Sequence, residues 1–390
     1  MNSTSFLSTH KMYFSTLGKV HIGTGHDLDP TQYVIDGNQL YKFPVDGLIA
    51  SFSEADRRQL QQCVSDRGSS SMLRQVQRLI HERRAELKKH AYSPIPVSSG
   101  VAELYREKMK SRAGTYNALE IRRMYRHLST GSPILPGSSI KGSIRTALLH
   151  QRNQDRLLSR RQESHRELEQ RLFQYRNYHQ DPMRLVQVGD AEVTDKLPKT
   201  SVVFAVNRKK KEVDLGGREA RSLAEKGGLY QMLEVVSDRQ PRGFRGSLVL
   251  QRTETDSTDL NSFCKSIPSS EMHFTTEAIA SACNEFYLPM LKNELHLLRH
   301  RGFASKRWYK DAETYRNVAE KHDKSFLLRL GLHSGAEAVT IGGVRQIAIN
   351  QGRRRQRRIG KASESLWLAA SRQDDRTQLI PFGWVLVSFE

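Results

Sequence analysis

The chain has 390 residues, 37% of them hydrophobic, enough to bury a substantial core and a length that fits two domains or one with large insertions. Lys and Arg number 62 against 42 Asp and Glu, a net charge of +20, and the usual partner of such a surplus is nucleic acid. Three widely spaced cysteines (Cys63, Cys264, Cys283) with no CxxC pair argue against a structural zinc and a secreted disulfide scaffold, and no apolar run is long enough for a membrane span.

In chain order, Met1 to His10 lacks the basic-then-apolar layout of a signal peptide, so a reduced, cytoplasmic setting is expected. Residues 12–22 alternate as a strand through Met12, Phe14 and Thr16, then Val20 and Ile22 after Gly18, and Gly23-Thr24-Gly25 closes it. Tyr33 to Ile35 and Leu40 to Phe43 flank an Asp36-Gly37 turn, a hairpin signal. Met72, Val76, Leu79, Ile80 and Leu87 recur at helical spacing. After breaks at 92–100 and 131–133, a long basic helix is expected from about Ser139 to Tyr175. Residues 183–213 read as paired strands, one through Val186 and Val188, the next through Val202, Val203 and Phe204. Strands are also expected at Leu229 to Val236, Phe244 to Leu250, Phe326 to Leu330 and Trp384 to Phe389, and an amphipathic helix from Ile279 to Leu298. This irregular mixture points to the α+β class.

The stretch Leu135-Pro136-Gly137-Ser138-Ser139-Ile140-Lys141-Gly142-Ser143-Ile144-Arg145 carries the most chemistry. A Pro-Gly turn feeds two serines that can cap the following helix. Ile140, Ile144 and Leu148 fall four apart and would bury, while Lys141 and Arg145 share a neighbouring face. Free amides, the positive helix end, two hydroxyls and two cations would converge there as a phosphate site. The same residues also describe an ordinary capped helix with surface charges. A Walker A loop is excluded, because Lys141 precedes Gly142 instead of following it. Gly23-Thr24-Gly25 lacks the further glycine of a dinucleotide fingerprint. No cofactor is expected.

Val20-His21-Ile22-Gly23-Thr24-Gly25, with Tyr33-Val34-Ile35-Asp36 after it, resembles the opening of RAMP proteins of type III CRISPR systems, and the segment from Leu135 to Leu149 resembles their PGSSIKGAIR stretch. Leu328-Arg329-Leu330-Gly331, Ser334-Gly335 and Pro381-Phe382-Gly383-Trp384 are similar to the fifth-subunit family of the type III-A (Csm) complexes. The resemblance covers both ends and the middle of the chain and little of the intervening helices. It implies an RRM-like (ferredoxin-like) core over 1–206 with a helical insertion at about 46–130, and a second α+β part over 207–390. It implies a non-catalytic subunit that binds guide RNA (crRNA) and caps the backbone filament near the RNA's 3′ end. A neighbouring backbone RAMP protein, a small helical subunit and target RNA would be its other partners. His21, Gly23, Gly25, Gly137, Ser138, Ser139, Lys141, Gly142 and Arg145 are the RNA contacts this implies.

Independently, Gly352 to Gly360 packs Arg353, Arg354, Arg355, Arg357 and Arg358 between two glycines. Such a run repels itself until a polyanion neutralises it, and its guanidinium forks match phosphate oxygens. Upstream, Ile341-Gly342-Gly343-Val344-Arg345 would let a backbone approach an RNA strand. Arg152, Arg156, Arg160, Arg161, Arg166 and Arg171 are interleaved with Glu163, Glu167 and Glu169 and read as a solvated face. Arg307-Trp308-Tyr309-Lys310 could stack an unpaired base or place Trp308 in the core. His21, His26, Asp27 and Asp29 are the candidates for metal or acid–base chemistry, and Asp27 or Asp29 would serve the alternative function, a metal-dependent endoribonuclease. The plainer reading is a turn set by Asp29-Pro30. No nucleophile elbow or HExxH motif supports catalysis, and no resident metal is expected.

Overall fold

The computed structural model describes residues 7–65, 70–110, 119–153, 163–194, 200–211, 221–251, 274–351 and 356–390. The elements of the first half are β1 (Leu7–Thr16), β2 (Gly23–Leu28), β3 (Tyr33–Asp36), β4 (Gln39–Lys42), α1 (Val45–Ala50), α2 (Glu54–Ser65), α3 (Ser70–Glu82), α4 (Arg84–Leu87), β5 (Ile95–Pro96), α5 (Ser99–Lys110), β6 (Ile121–Met124), α6 (Gly137–Asn153), α7 (His165–Leu172), β7 (Val186–Val188) and β8 (Glu192–Val193). Then come β9 (Thr200–Lys209), α8 (Leu223–Lys226), β10 (Tyr230–Val236), β11 (Gln240–Gln251), α9 (Thr276–His300), α10 (Lys306–Lys321), β12 (Ser325–Arg329), β13 (Ile347–Gln351), β14 (Gln356–Gly360), β15 (Ser365–Ala370), β16 (Ile380–Pro381) and β17 (Trp384–Phe389).

Two six-stranded sheets carry the fold. The first runs β12-β17-β1-β11-β7, with β8 also paired to β11, and the second runs β16-β15-β9-β10-β6-β2. Both draw strands from either side of residue 206, and β9 spans that position. The class is mixed α+β, as the alternation of patterns predicts. One apolar cluster runs from Met12 to Phe389 and joins both sheets to α6, α9 and α10. Trp308 belongs to it, 2% exposed, with its indole donating to the Leu17 carbonyl at 3.2 Å. No helix among the described residues is long and apolar enough to cross a membrane.

Burial in β1 alternates as the sequence predicts, with Met12, Phe14 and Thr16 inside. The strand does not continue to Ile22. At Leu17–Gly18 the chain leaves the first sheet, and both amides donate to the Trp384 carbonyl at 2.9 and 3.1 Å. It re-enters pairing in the second sheet as β2. A Cβ on Gly18 would lie 2.4 Å from the Pro381 oxygen, so only glycine allows this crossing.

The hairpin β3–β4 forms at Asp36-Gly37-Asn38, and β5 adds a third strand to it. Val34, Phe43, Phe52, Leu79, Ile80 and Leu87 make a separate small core for this helical insertion. Two expectations are corrected. The helix expected over 139–175 is two: α6 ends at Asn153, and α7 starts behind Ser164, whose hydroxyl and Glu167 form a capping box. Residues 154–162 lie outside those described. The two strands expected to pair within 183–213 sit in different sheets, β7 on β11 and β9 between β15 and β10. Alternation identifies a strand but not its neighbour.

A second close approach holds the crossing. Gly331 has φ +79°, and its Cβ would lie 2.2 Å from the His21 oxygen. Gly331→Ala should lower the unfolding free energy by roughly 2–5 kcal/mol, combining left-handed strain with overpacking. Gly37→Ala, at φ +58° with nothing within 4 Å, should cost only about 1 kcal/mol. Urea denaturation of the two variants checks the contrast.

Candidate nucleic-acid interface

The start of α6 keeps the pattern of its sequence but not the vacancy expected of it. Ile140, Ile144 and Leu148 are buried, and Ser138 and Gly142 are exposed. The Gly137 amide, however, donates to Asp190 Oδ1 at 2.7 Å, so a carboxylate already holds the position an anion would take. A Cβ at Gly137 would lie 2.2 Å from the Val188 oxygen, which gives this glycine a packing role beside β7. Ser139 donates its amide back to Pro136.

Arg145 is not the solvent-facing cation its spacing predicts. Its guanidinium donates to Asp181 at 2.8 and 3.2 Å and to Glu169 at 2.7 Å, and lies over the Phe173 ring at 5.3 Å. Burial works against its charge, but Glu169 and Asp181 outweigh that and hold it fully ionised. Arg145 therefore ties α6 to α7. Lys141 is half-buried, and burial shifts its ammonium pKa down.

Of the C-terminal glycines and arginines, Gly342 and Arg345 are used inside the fold. Gly342 faces His150, whose Nδ1 accepts the Gly342 amide at 3.2 Å, so its open side is closed by α6 and not free for an RNA strand. Arg345 is half-buried and donates to the carbonyls of Glu337 and Thr340 at 3.0 and 3.3 Å. Arg353, Arg354 and Arg355 lie outside the described residues. Arg357 and Arg358 are on β14, and Arg358 is exposed, donating to Glu364 at 2.6 Å. Of the basic helix face, Arg171 is paired with Glu163 at 2.8 Å.

The second sheet holds an open cationic site. Between the pairs Gly23↔Met124 and Asp27↔Arg122, β2 advances from 23 to 27 while β6 moves only from 124 to 122. The extra residues bulge outward around Gly25, which has φ +81° and nothing near its Cβ position. A cleft of about 350 Å³ opens beside the bulge, lined by His21, Gly23 to Asp27, Arg122, Arg123 and Leu332. Arg122 and Arg123 are half-exposed, and neither forms an ion pair with any described carboxylate. Arg126, just beyond β6, is instead bound to buried Glu234, which also accepts the Met124 amide at 3.0 Å.

His21 is 1% exposed, and its Nδ1 is 2.6 Å from the Glu234 carbonyl. Burial lowers its pKa, so the ring is neutral, with Nδ1–H donating and Nε2 left as an acceptor toward Gly23. Asp29 is spent on its own turn, accepting the Thr31 amide and hydroxyl at 2.8 and 2.6 Å. Asp27 is exposed at the rim of the cleft. No group of three or more His, Cys, Asp or Glu side chains that could hold a metal occurs among the described residues. Sequence reasoning misses Arg122 and Arg123. Their signal is two adjacent cations between Ile121 and Met124, both buried, where strand alternation would hide one.

Residues 13–299 match the family model of the RAMP superfamily, well over half of the chain. The chain belongs to the RAMP superfamily. Among solved structures, this RAMP protein is similar to a chain of a cryo-EM Csm-crRNA-target RNA ternary complex of a type III-A CRISPR-Cas system. The TM-score is 0.57 at 16% identity, covering 98% of this chain and 100% of that one. It is also similar to crystalline Csm5 from T. onnurineus, with TM-score 0.54 and 16% identity over 96% and 99% of the two chains. These likenesses establish a shared fold. No curated protein sequence matches the chain.

Two predictions separate structural from binding charges in this RAMP protein. Arg145→Ala strands two carboxylates and should destabilise by about 2–3 kcal/mol, below the figure for a fully buried pair because the side chain keeps 21% exposure. Lys141→Ala should stay within about 0.5 kcal/mol in the same denaturation assay. Glu337 reports acid sensitivity. Burial alone would raise its pKa, but Lys210 at 2.7 Å and Ser363 at 2.8 Å outweigh it and hold the carboxyl at about 2. Its stabilisation, about 3 kcal/mol, is complete above roughly pH 4.5 and is lost as pH falls toward 2. Unfolding free energies measured down this range should show the loss in the wild type and not in Glu337→Gln.

Proposed function

We propose that this RAMP protein is a non-catalytic crRNA-binding subunit of a type III-A Csm effector complex, seated at the end of the backbone filament over the 3′ portion of the guide. The observation that carries this reading is the pair Arg122 and Arg123, without carboxylate partners among the described residues, opening on the glycine bulge of β2. A bulge without side-chain bulk at Gly23 and Gly25 lets a phosphate approach the backbone, and two guanidinium forks supply charge-assisted bonds to it. Buried His21 stands behind the bulge, its Nδ1–H on the Glu234 carbonyl and its Nε2 against Gly23, and braces the backbone that a phosphate would meet. Ser138, Ser139, Lys141 and Gly142 on α6 and the arginines of 352–360 extend the same chemistry beyond the cleft.

The RAMP membership, the net charge of +20 and the fold shared with Csm-complex chains support the assignment. In this reading the chain holds an RRM-like (ferredoxin-like) RAMP core with helical insertions and a second α+β C-terminal part. A neighbouring backbone RAMP protein, the small helical subunit and target RNA are the further partners. Phosphate contacts position a strand without reading its bases, so binding is expected to be nearly independent of sequence.

Fluorescence anisotropy with labelled single-stranded RNA across a salt series tests the site. Arg122→Ala with Arg123→Ala should weaken binding at least about tenfold and flatten the log–log salt slope by about 1.4, the share of two phosphates. Unchanged affinity and slope would remove the cleft from the proposal. The endoribonuclease alternative has one observation in its favour, the exposed Asp27 at the cleft rim. Magnesium-dependent RNA cleavage by the wild type and not by Asp27→Ala would put it first.

A further inference from the structure

On the other side of the chain crossing lies a larger cavity of about 810 Å³, and Leu332 lines both it and the cleft. Its walls come from α9, β15, the loop after β12 and the strands around β13. That volume falls in the range of small-molecule and cofactor sites. One wall is apolar, built on Met290, Leu297 and Ile347, and next to it the His333 ring lies nearly flat on Trp367, centroids 4.6 Å apart at 19°.

The charges lining the cavity do not cancel. Lys210, Arg329 and Arg345 face Glu294 and Glu337. Both carboxylates are already committed. Glu294 accepts from Arg329 at 2.5 Å and from the Trp384 indole at 3.1 Å, and Glu337 accepts from Lys210 at 2.7 Å and from Ser363 at 2.8 Å. Arg345 is left with backbone carbonyls as its hydrogen-bond acceptors. Ser334 is only 5% exposed, lines the cavity, and its hydroxyl has no hydrogen-bond partner in the described chain. Glu337 attracts Arg345 only through space while it is bonded to Lys210 and Ser363, so a further anion would complete this half-buried cation, and the Ser334 hydroxyl is open to a ligand.

We infer that this cavity receives one nucleotide of the bound RNA, its base against the apolar and aromatic walls, Arg345 taking its phosphate and the Ser334 hydroxyl bonding to its base or ribose. The inference rests on the reading of the chain as an RNA-binding subunit and assigns a second subsite to the strand held in the cleft. An aromatic pair beside a surplus cation fits an anionic nucleotide, since each base offers a stackable face and each phosphate a negative charge. An apolar protein side chain from a neighbouring subunit would fill the volume but leave half-buried Arg345 with no partner beyond backbone carbonyls and the through-space pull of Glu337.

The full-length protein is used for the test. Adenosine 5′-monophosphate is titrated by equilibrium dialysis, and a 4-thiouridine-substituted single-stranded RNA is photo-crosslinked and its attachment sites mapped. Wild type should bind the mononucleotide at about 1 mM, an affinity within reach of a single small ligand. Ser334→Ala should weaken it about fivefold, one hydrogen bond's worth. Arg345→Gln should weaken it at least about tenfold while Arg345→Lys recovers part of the loss, with thermal midpoints confirming that each variant is folded. Crosslinks should map to the 331–345 segment or to Trp367 as well as to the cleft.

If RNA binds and crosslinks only at residues 23–27 and 122–123, and the mononucleotide does not bind, the cavity proposal is overturned and the RNA-binding reading stands. If neither RNA nor mononucleotide binds, both fall. If crosslinks are absent from the cavity and only an added protein subunit shields it from solvent labelling, a protein segment is the occupant and the nucleotide assignment is wrong.

Discussion

Three backbone segments touch where the chain passes between the two large sheets, and that contact sets the position of everything functional. Lys19 donates to the Pro381 carbonyl at 3.1 Å and accepts from Gly383 at 2.8 Å, while Leu330 donates to Gly383 and Leu332 donates to His21, each at 2.8 Å. No side chain could stand at the points of closest approach. A Cβ at Gly18, Gly331 or Gly383 would lie 2.4, 2.2 or 2.6 Å from a carbonyl oxygen. Buried backbone donors and acceptors must be paired, and here Lys19 and His21 pair with segments more than 300 residues further along the chain. One consequence is that His21 is brought to the floor of the cleft and Leu332 to the wall it shares with the larger cavity.

This contact also explains why the glycines of the family motif are poor guides to ligand contact. Gly331 and Gly383 belong to the stretches that carry the family resemblance, yet their missing side chains make room for this protein's own carbonyls. Gly137 does the same against Val188. Gly23 and Gly25 differ: Gly23 has only the His21 ring close by, and Gly25 has nothing within 4 Å. A glycine facing open space beside unpaired cations is available to a ligand; a glycine facing a carbonyl is not. The cations divide by the same test. Arg145, Arg329 and Arg83 each bind a carboxylate that is itself largely buried, so their charge is consumed in joining elements. Composition counts these with the others and cannot tell them apart.

What the sequence makes legible follows from how far each signal reaches. The Asp36-Gly37 hairpin, the alternation in β1, the spacing of α9 and the buried face of α6 are local, and all are present. The phosphate-site expectation at α6 rested on correct local chemistry, but Asp190 and Asp181 arrive from 53 and 36 positions further along the chain and take up the amide and the guanidinium. Partner choice among strands is equally non-local: β7 and β9 have the same alternating look and end in different sheets. The Ser164–Glu167 capping box was readable and would have split the long helix, since a serine followed three residues later by glutamate starts helices more often than it continues them. Arg122 and Arg123 were hidden for a different reason. Their meaning depends on the bulge across the ladder and on the absence of a described acidic partner, and neither is written in the four residues of β6.

The histidines around the crossing add a last constraint on how the cleft works. Burial lowers the pKa of His21, and it lowers that of His333 to about 3, with Arg122 adding to the effect in both. Both rings are therefore neutral at physiological pH and contribute hydrogen-bonding atoms, not charge. Protonating either would be resisted by the fold: a buried histidine whose pKa is depressed costs stability as pH falls below its free value of 6.5, because the unfolded chain then binds the extra proton. The charges of Arg122 and Arg123, which stay ionised at every pH a cell reaches, thus do not depend on either buried ring. The two buried rings and the two guanidiniums therefore offer a fixed set of hydrogen-bonding atoms and a fixed pair of charges, placed by a backbone contact that contains no titratable group.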